Sequence, residues 1–349
     1  MGQHCVKDLS YLNIDKFLRN GQIIQKFNSN TLYLGQGESE NELDDHFFQL
    51  NFYKSRRKLF GISQLIKTTV EEFIPFINAL FDAKTKLTQD KSFDDEYFQD
   101  VGHIKDLFQK HIDLKKLVSV TRRTYQTNGI HPLSRVQDFT KLNGSLYGYW
   151  EDGKGVLGVS PEPIVINENG RYLTRSLAGT ISTDIPNYEA MILNDSKEIN
   201  EHDLVIKDLT EKLFKYDSGP KVEPKKIITF NKIAHICSEI SFKPKSLGVI
   251  EMAAVLSPSA ALGAYPSESL SLLKDLNYYR HAGDQRIFGG VFGISHPEIK
   301  QAFVMIRNVI WDANTFEINS GSGIVGESEV DKELKEVQFK RGTIEQCFQ

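Results

Sequence analysis

Four short segments follow one another between residues 144 and 176: GSLYGYWED, GKGVLGVS, PIVINENG and RYLTRS. Each is strand-like in composition, and Gly and Asn turns separate them, the signature of an antiparallel meander. This run constrains the fold more than any other feature. LVSVTRRTY, KKIITF and IAHICSEISF read as further strands. RIFGGVFGIS, QAFVMIRNVIW and TFEINSG form a last strand set, and NTLYLG and HFFQLNFY are shorter strand-like runs near the N-terminus. Helical apolar spacing marks 63–81, DDEYFQDVGHIKDLFQKHI, SLGVIEMAAVL and SESLSLLKDL. SKEINEHDLVIKDLTEKLFKY is a helix with Ser196 as its cap candidate. Strand runs with isolated helices predict an α+β fold, a single large domain with a layered antiparallel sheet core and peripheral helices, rather than alternating β/α units. No repeat, low-complexity linker or sharp boundary divides it.

With 349 residues the chain can bury a large core. Its net charge of −4 argues against a nucleic-acid partner. Cys5, Cys237 and Cys347 are too widely spaced for a disulfide framework or a zinc motif, so a reducing, cytoplasmic setting is expected. MGQHCVKDLSYLNIDKF has no apolar signal-peptide region, and Val6 breaks the myristoylation pattern. No apolar run reaches membrane-spanning length, so no membrane association is expected.

The chemistry concentrates in a few motifs. In SGSGIVGESEVDKELKEVQFK, a glycine-rich turn leads through a short strand into a helix. Glu333 and Glu336 share a face of that helix, and Lys340 lies four residues further on. Glu329 and Asp331 suit its N-terminal end electrostatically. A solvated charged helix is the ordinary reading of such a pattern. KEINEHD, however, places Glu198 and Glu201 three apart on another helix. Two carboxylate pairs can make a hard oxygen site of the kind Mg²⁺ takes, together with an anionic substrate. Glu162, held between Pro161 and Pro163, suits a general acid if burial raises its pKa. SLAGTIS allows close backbone approach at Gly179 and offers the Thr180 hydroxyl. Arg307 interrupts an apolar strand pattern and needs a carboxylate partner, from the protein or from a ligand. His235 reads as a core histidine or a site residue.

Taken in order, these motifs resemble the chorismate-utilising enzymes, the family of isochorismate synthase, salicylate synthase, anthranilate synthase component I and aminodeoxychorismate synthase component I. The matching pieces are SPE (160–162), LAGT (177–180), KEINEHDLV (197–205), AHI (234–236), PSAALGAYP (258–266), FGGVFGI (288–294), IR (306–307) and the terminal motif. The likeness covers roughly residues 100 to 345. It makes 96–349 the chorismate-binding catalytic region and 1–95 a less recognisable part of the same domain. It implies Mg²⁺, chorismate, and a site between two layered halves.

Carried over by motif, Glu201 and Glu336 resemble the principal Mg²⁺ ligands, with Glu198 and Glu333 as their partners. Glu162 matches the acid that protonates the departing C4 hydroxyl. Arg307, Lys340 and the Gly321–Gly323 turn match substrate-carboxylate contacts. His235, Gly179 and Thr180 match residues lining the ring, and Ser259 keeps a hydroxyl where the water-using branch has Thr. Ala178 stands where makers of aminodeoxychorismate carry Lys. With PSAALGAYP, this favours water as the nucleophile at C2 and implies isochorismate synthase, an isomerase feeding menaquinone or a siderophore. Salicylate synthase, an ammonia-using enzyme with a glutamine amidotransferase subunit, and a non-catalytic chorismate-binding homologue are the alternatives. A monomer is expected.

Three positions depart from the water-using branch. Leu117 occupies the place of the lysine base in LVSVTRR. Lys115 shares the face of Leu117, roughly 7 Å back along the strand, while Lys116 faces away unless a bulge re-aims it. Ser257 replaces a His, and Phe288 replaces a Tyr.

Overall fold

The computed structural model of the chain describes residues 5–37, 45–62, 64–81, 87–127, 129–216 and 219–349. The Met1-Gly2 reading therefore lies outside the described residues.

Two large sheets form the molecule, one of eleven strands and one of nine among the described residues. The meander folds as expected. Ser145–Glu151 and Lys154–Ser160 pair antiparallel around the Asp152-Gly153 turn, and Pro163–Glu168 pairs with Arg171–Ser182 around Asn169-Gly170. Asp152, Gly153, Asn169 and Gly170 all take positive φ, the conformation such residues tolerate best. Between these two hairpins the chain passes from the larger sheet to the smaller, through Pro161-Glu162.

Residues before 95 belong to both sheets. Asn20–Gln25 pairs with Ser145–Glu151, and His46–Leu50 pairs with Val291–His296. Phe47, Phe60, Tyr147, Tyr149, Phe292 and Phe303 are buried together in one cluster, with Phe47 and Phe292 stacked at 5.9 Å. Burying aromatics of this size supplies much of the apolar driving force.

Several elements differ from expectation. The helical spacing at 63–81 is shared by a strand, Leu65–Thr69, and a shorter helix, Val70–Asn78. A Thr69–Glu72 capping box starts that helix. SESLSLLKDL winds as a 3₁₀ helix, Ser267–Asp275. In the long helix Ser196–Leu213 the cap is Asp195, whose side chain accepts from the N–H groups of Lys197 and Glu198; Ser196 is already helical. QAFVMIRNVIW is two strands, Ile299–Val304 and Asn308–Trp311, that lie in different sheets. No described helix is long and apolar enough to cross a membrane.

Candidate functional site

The expected glycine-rich turn at 321–323 is strand. Thr315–Ile324 pairs along its whole length with Lys116–Gln126. Its other edge pairs with Asn308–Trp311 only through Phe316–Ile318, so from Asn319 onward that edge faces a cavity. The glycines answer a packing need. A Cβ on Gly323 would lie 2.2 Å from Lys116 Cε and 2.3 Å from Glu201 Oε1. Gly323→Ala is therefore expected to push the Lys116 and Glu201 side chains apart and to lower turnover by on the order of 10²-fold. The protein should remain folded by circular dichroism, since the surrounding ladder is unchanged.

The cavity lies between the sheets and is lined by Glu162, Ala178, Thr180, Glu201, His235, Phe288, Arg307, Ser320–Gly323 and Lys340, among others. Of the residues expected at the site, Glu162, Thr180, Glu201, His235, Arg307, Gly321, Gly323 and Lys340 converge here from distant parts of the chain, while Glu198, Glu333 and Glu336 line a neighbouring groove. Gly179 takes φ +78 at a register shift in Arg171–Ser182, a bulge that turns the Thr180 N–H toward the long helix. That N–H donates to Glu198 Oε2 at 2.7 Å. Ser259 does not reach the cavity. Its Oγ accepts from Ala261 N and its carbonyl accepts from Leu262 N and Gly263 N, so it shapes a turn behind the wall. Ser257 is likewise buried outside the cavity.

Glu162 is buried, and loss of solvent pushes its pKa up to about 8, although Lys116 and Lys340 draw it down. It is a neutral carboxylic acid at neutral pH. His235 is held neutral, its pKa well below the ordinary range through burial and the nearby Lys340 and Arg307 charges. Its Nδ1 lies 3.1 Å from the Gly179 carbonyl, which can only accept, so the proton is on Nδ1. Nε2 is then the acceptor facing Arg307 Nη2 at 3.3 Å. His235 thus orients Arg307 and holds no proton for a substrate.

Arg307 sits at the break between two strands with φ +51, a strained position for a side chain of this size, and backbone strain of this kind concentrates at functional sites. Burial lowers its pKa to about 10, and it remains charged. No carboxylate among the described residues pairs with it within 4.0 Å, so its charge is open to an anion while His235 holds Nη2.

The lysine ambiguity resolves in the backbone. Lys115 N and Val118 N both donate to the opposing segment, to Tyr265 O and Gly263 O. They are three residues apart where a regular strand would put two, so the extra residue lies at the Lys115 end; Lys116 and Leu117 themselves pair in regular register with Tyr265 and Ala264, and face opposite sides by ordinary strand alternation. Lys115 is exposed, with its Nζ donating to Ile112 O. Lys116 is fully buried, and its Nζ lies 2.9 Å from Glu201 Oε1. Leu117 belongs to the hydrophobic core.

The four glutamates also converge. Glu198 and Glu201 come from Ser196–Leu213, and Glu333 and Glu336 from the terminal helix Val330–Glu345. Burial would raise Glu201, but Lys116 and Lys197 outweigh it and hold the pKa at about 2. Glu198 is pushed up to about 7 by burial, with Glu201 and Glu336 adding to the rise against Lys197. Glu333 is raised by burial and by Glu336, and its Oε2 is buried without a hydrogen-bond partner. Lys340 donates to Gly321 O at 3.1 Å and pairs with Glu336. Four acidic oxygen donors, one of them an orphan, suit a hard divalent cation. As they stand, no three ligating side chains among the described residues surround one point for a metal; the ammonium of Lys197 lies between them. Sequence reasoning passed over Lys197, although its i,i+4 spacing to Glu201 signals the contact.

A family model described as "Chorismate binding enzyme" matches residues 8–349. The chain belongs to this family. Over 247 residues this chorismate-binding enzyme is 24% identical to isochorismate synthase MenF of Haemophilus influenzae, a match covering 68% of the chain and 56% of that protein. Over 228 residues it is 26% identical to anthranilate synthase component 1 of Neisseria meningitidis serogroup B, covering 60% of the chain and 44% of that protein. The chain thus spans about half the length of these curated relatives. In three dimensions it is similar to MenF, the menaquinone-specific isochorismate synthase from Escherichia coli. The TM-score is 0.79 at 16% identity, over 97% of this chain and 92% of that one. At that identity the likeness is one of fold, and it agrees with a single α+β domain built on antiparallel sheets.

Proposed function

We propose that this chorismate-binding enzyme converts chorismate to isochorismate. The observation that carries the reading is the pairing of a buried, protonated Glu162 with an unneutralised Arg307 across one cavity. Arg307 and Lys340 receive the carboxylates of the substrate. Glu162 gives its proton to the departing C4 hydroxyl, which leaves as water. Lys116 is the base only as the neutral amine: with its resting proton given up before the addition, its Nζ takes the proton of the water that adds at C2. Oxygen is lost at one carbon and gained at another, so substrate and product are isomers. Glu198, Glu201, Glu333 and Glu336 would hold Mg²⁺. Bound there, the ion would neutralise and orient a substrate carboxylate.

Two alternatives weaken on particular residues. Ala178 lines the cavity and brings no amine to it, which favours water over ammonia as nucleophile. The non-catalytic reading rested on Leu117, and Lys116, on the opposite face of the strand and 2.9 Å from Glu201, is the candidate base in its place. Turnover of chorismate with Mg²⁺, with and without ammonium and with pyruvate measured in parallel, tests the reading. The expected result is one product, unchanged by ammonium, with no pyruvate. An aminated ring or released pyruvate would assign a sister activity instead.

A further inference from the structure

Lys197 takes no part in the chemistry proposed above, yet it holds the centre of the acidic cluster. Its ammonium lies 3.0 Å from Glu198 Oε1, 2.9 Å from Glu333 Oε1 and 3.6 Å from Glu201 Oε2. Those oxygens come from both helices, so one side chain ties the two together. Four carboxylates (Glu198, Glu201, Glu333, Glu336) face three ammonium groups (Lys116, Lys197, Lys340), and the buried Glu333 Oε2 has no hydrogen-bond partner.

Lys197 also stands where two chambers meet. Glu201 lines the inner cavity, the one that Glu162, Arg307 and Lys340 also line. An outer groove of about 530 Å³ runs between the helices and is lined by Lys197, Glu198, Glu333 and Glu336. Asp195, Glu327 and Glu329 border the same groove. A lysine stem is long and flexible, so its ammonium can exchange the buried glutamates for these outer carboxylates. A divalent cation drawing these carboxylates together and the Lys197 ammonium cannot share the space between them, because like charges at contact distance repel strongly.

We propose that Lys197 is a resident counter-ion of the acidic cluster, displaced toward the outer groove when a divalent cation binds. The inference rests on the reading above that these carboxylates hold such an ion. Two measurements on the full chain test it. Calorimetric titration with Mg²⁺ alone compares the wild type with Lys197→Met, which keeps the stem and removes the competing charge. The variant is expected to bind Mg²⁺ roughly tenfold tighter or more, and to lose thermal stability in chelator while regaining it on adding Mg²⁺. Reductive methylation of the wild type, read by mass spectrometry, is expected to modify Lys197 faster with Mg²⁺ than in chelator. Mg²⁺ binding that is equal or weaker in the variant, or Lys197 labelling that Mg²⁺ leaves unchanged, overturns the displacement and spares the metal reading. If neither protein binds Mg²⁺, the metal reading fails and the inference falls with it. Should the variant not fold, the labelling of the wild type decides.

Discussion

Replacing Glu162 by Gln is expected to lower chorismate turnover by about 10²–10⁴-fold, the range for loss of a positioned general acid. The amide keeps the shape of the carboxyl and cannot give up a proton. Substrate affinity should change little, because Arg307 and Lys340 are untouched, so the loss should fall on kcat rather than KM. The pH profile supplies a second readout. Glu162 acts in its protonated form, so activity should hold at neutral pH and fall as pH rises through about 8. Stability should move the opposite way from activity. The folded carboxyl titrates near 8 and its reference value is 4.5, so the folded state binds the proton more tightly. Wild-type stability therefore declines as pH climbs from the lower value to the higher one. Near pH 7 the penalty is on the order of 3 kcal/mol. Glu162→Gln relieves it, and the inactive variant should melt higher at neutral pH, with the gain fading in acid. A variant that is inactive and also less stable at every pH would point to a packing role.

Lys116→Met should have the second large effect. The ammonium is fully buried against Glu201. Removing one partner of a buried pair destabilises by about 3–5 kcal/mol. Lys197 still lies 3.6 Å from Glu201, which places the expected loss toward the lower figure. Turnover should fall by about 10²–10⁴-fold if Lys116 takes the proton of the attacking water. Lys115→Ala is the matched control. Lys115 is exposed and bonds only a local carbonyl among the described residues, so both stability and rate should stay within about 0.5 kcal/mol of wild type. Denaturant unfolding and steady-state kinetics on the two variants separate the roles. A near-normal rate in Lys116→Met, or a large loss in Lys115→Ala, would reverse the assignment.

The parts of this molecule legible in its sequence are those governed by local rules. The meander shows because Asp152-Gly153 and Asn169-Gly170 state their turns outright. The glutamate pairs show because helical spacing fixes which residues share a face. What stayed hidden depends on contacts between distant segments. Gly321 and Gly323 read as a turn because glycine is a poor strand former, yet Gly323 is small to make room for Lys116 and Glu201. Strand alternation pointed to Lys115 as the partner of Leu117's face, yet that face is the hydrophobic core and the opposite face, carrying Lys116, is the one beside Glu201 and Gly323. The break at Arg307 is invisible in QAFVMIRNVIW, since both halves are apolar and only their assignment to different sheets separates them. Asn20–Gln25 and His46–Leu50 lack clear alternation because they are buried on both faces.

The most direct test of the central claim is turnover of chorismate with Mg²⁺ in water enriched in heavy oxygen, with the product resolved by chromatography and mass spectrometry. Addition of water at C2 with departure of the C4 hydroxyl predicts a product isomeric with chorismate in ordinary water. In enriched water that product should be heavier by the mass difference of a single oxygen, with the label at C2. A product that carries no label, or chorismate left unconsumed beside a working control enzyme, would contradict it.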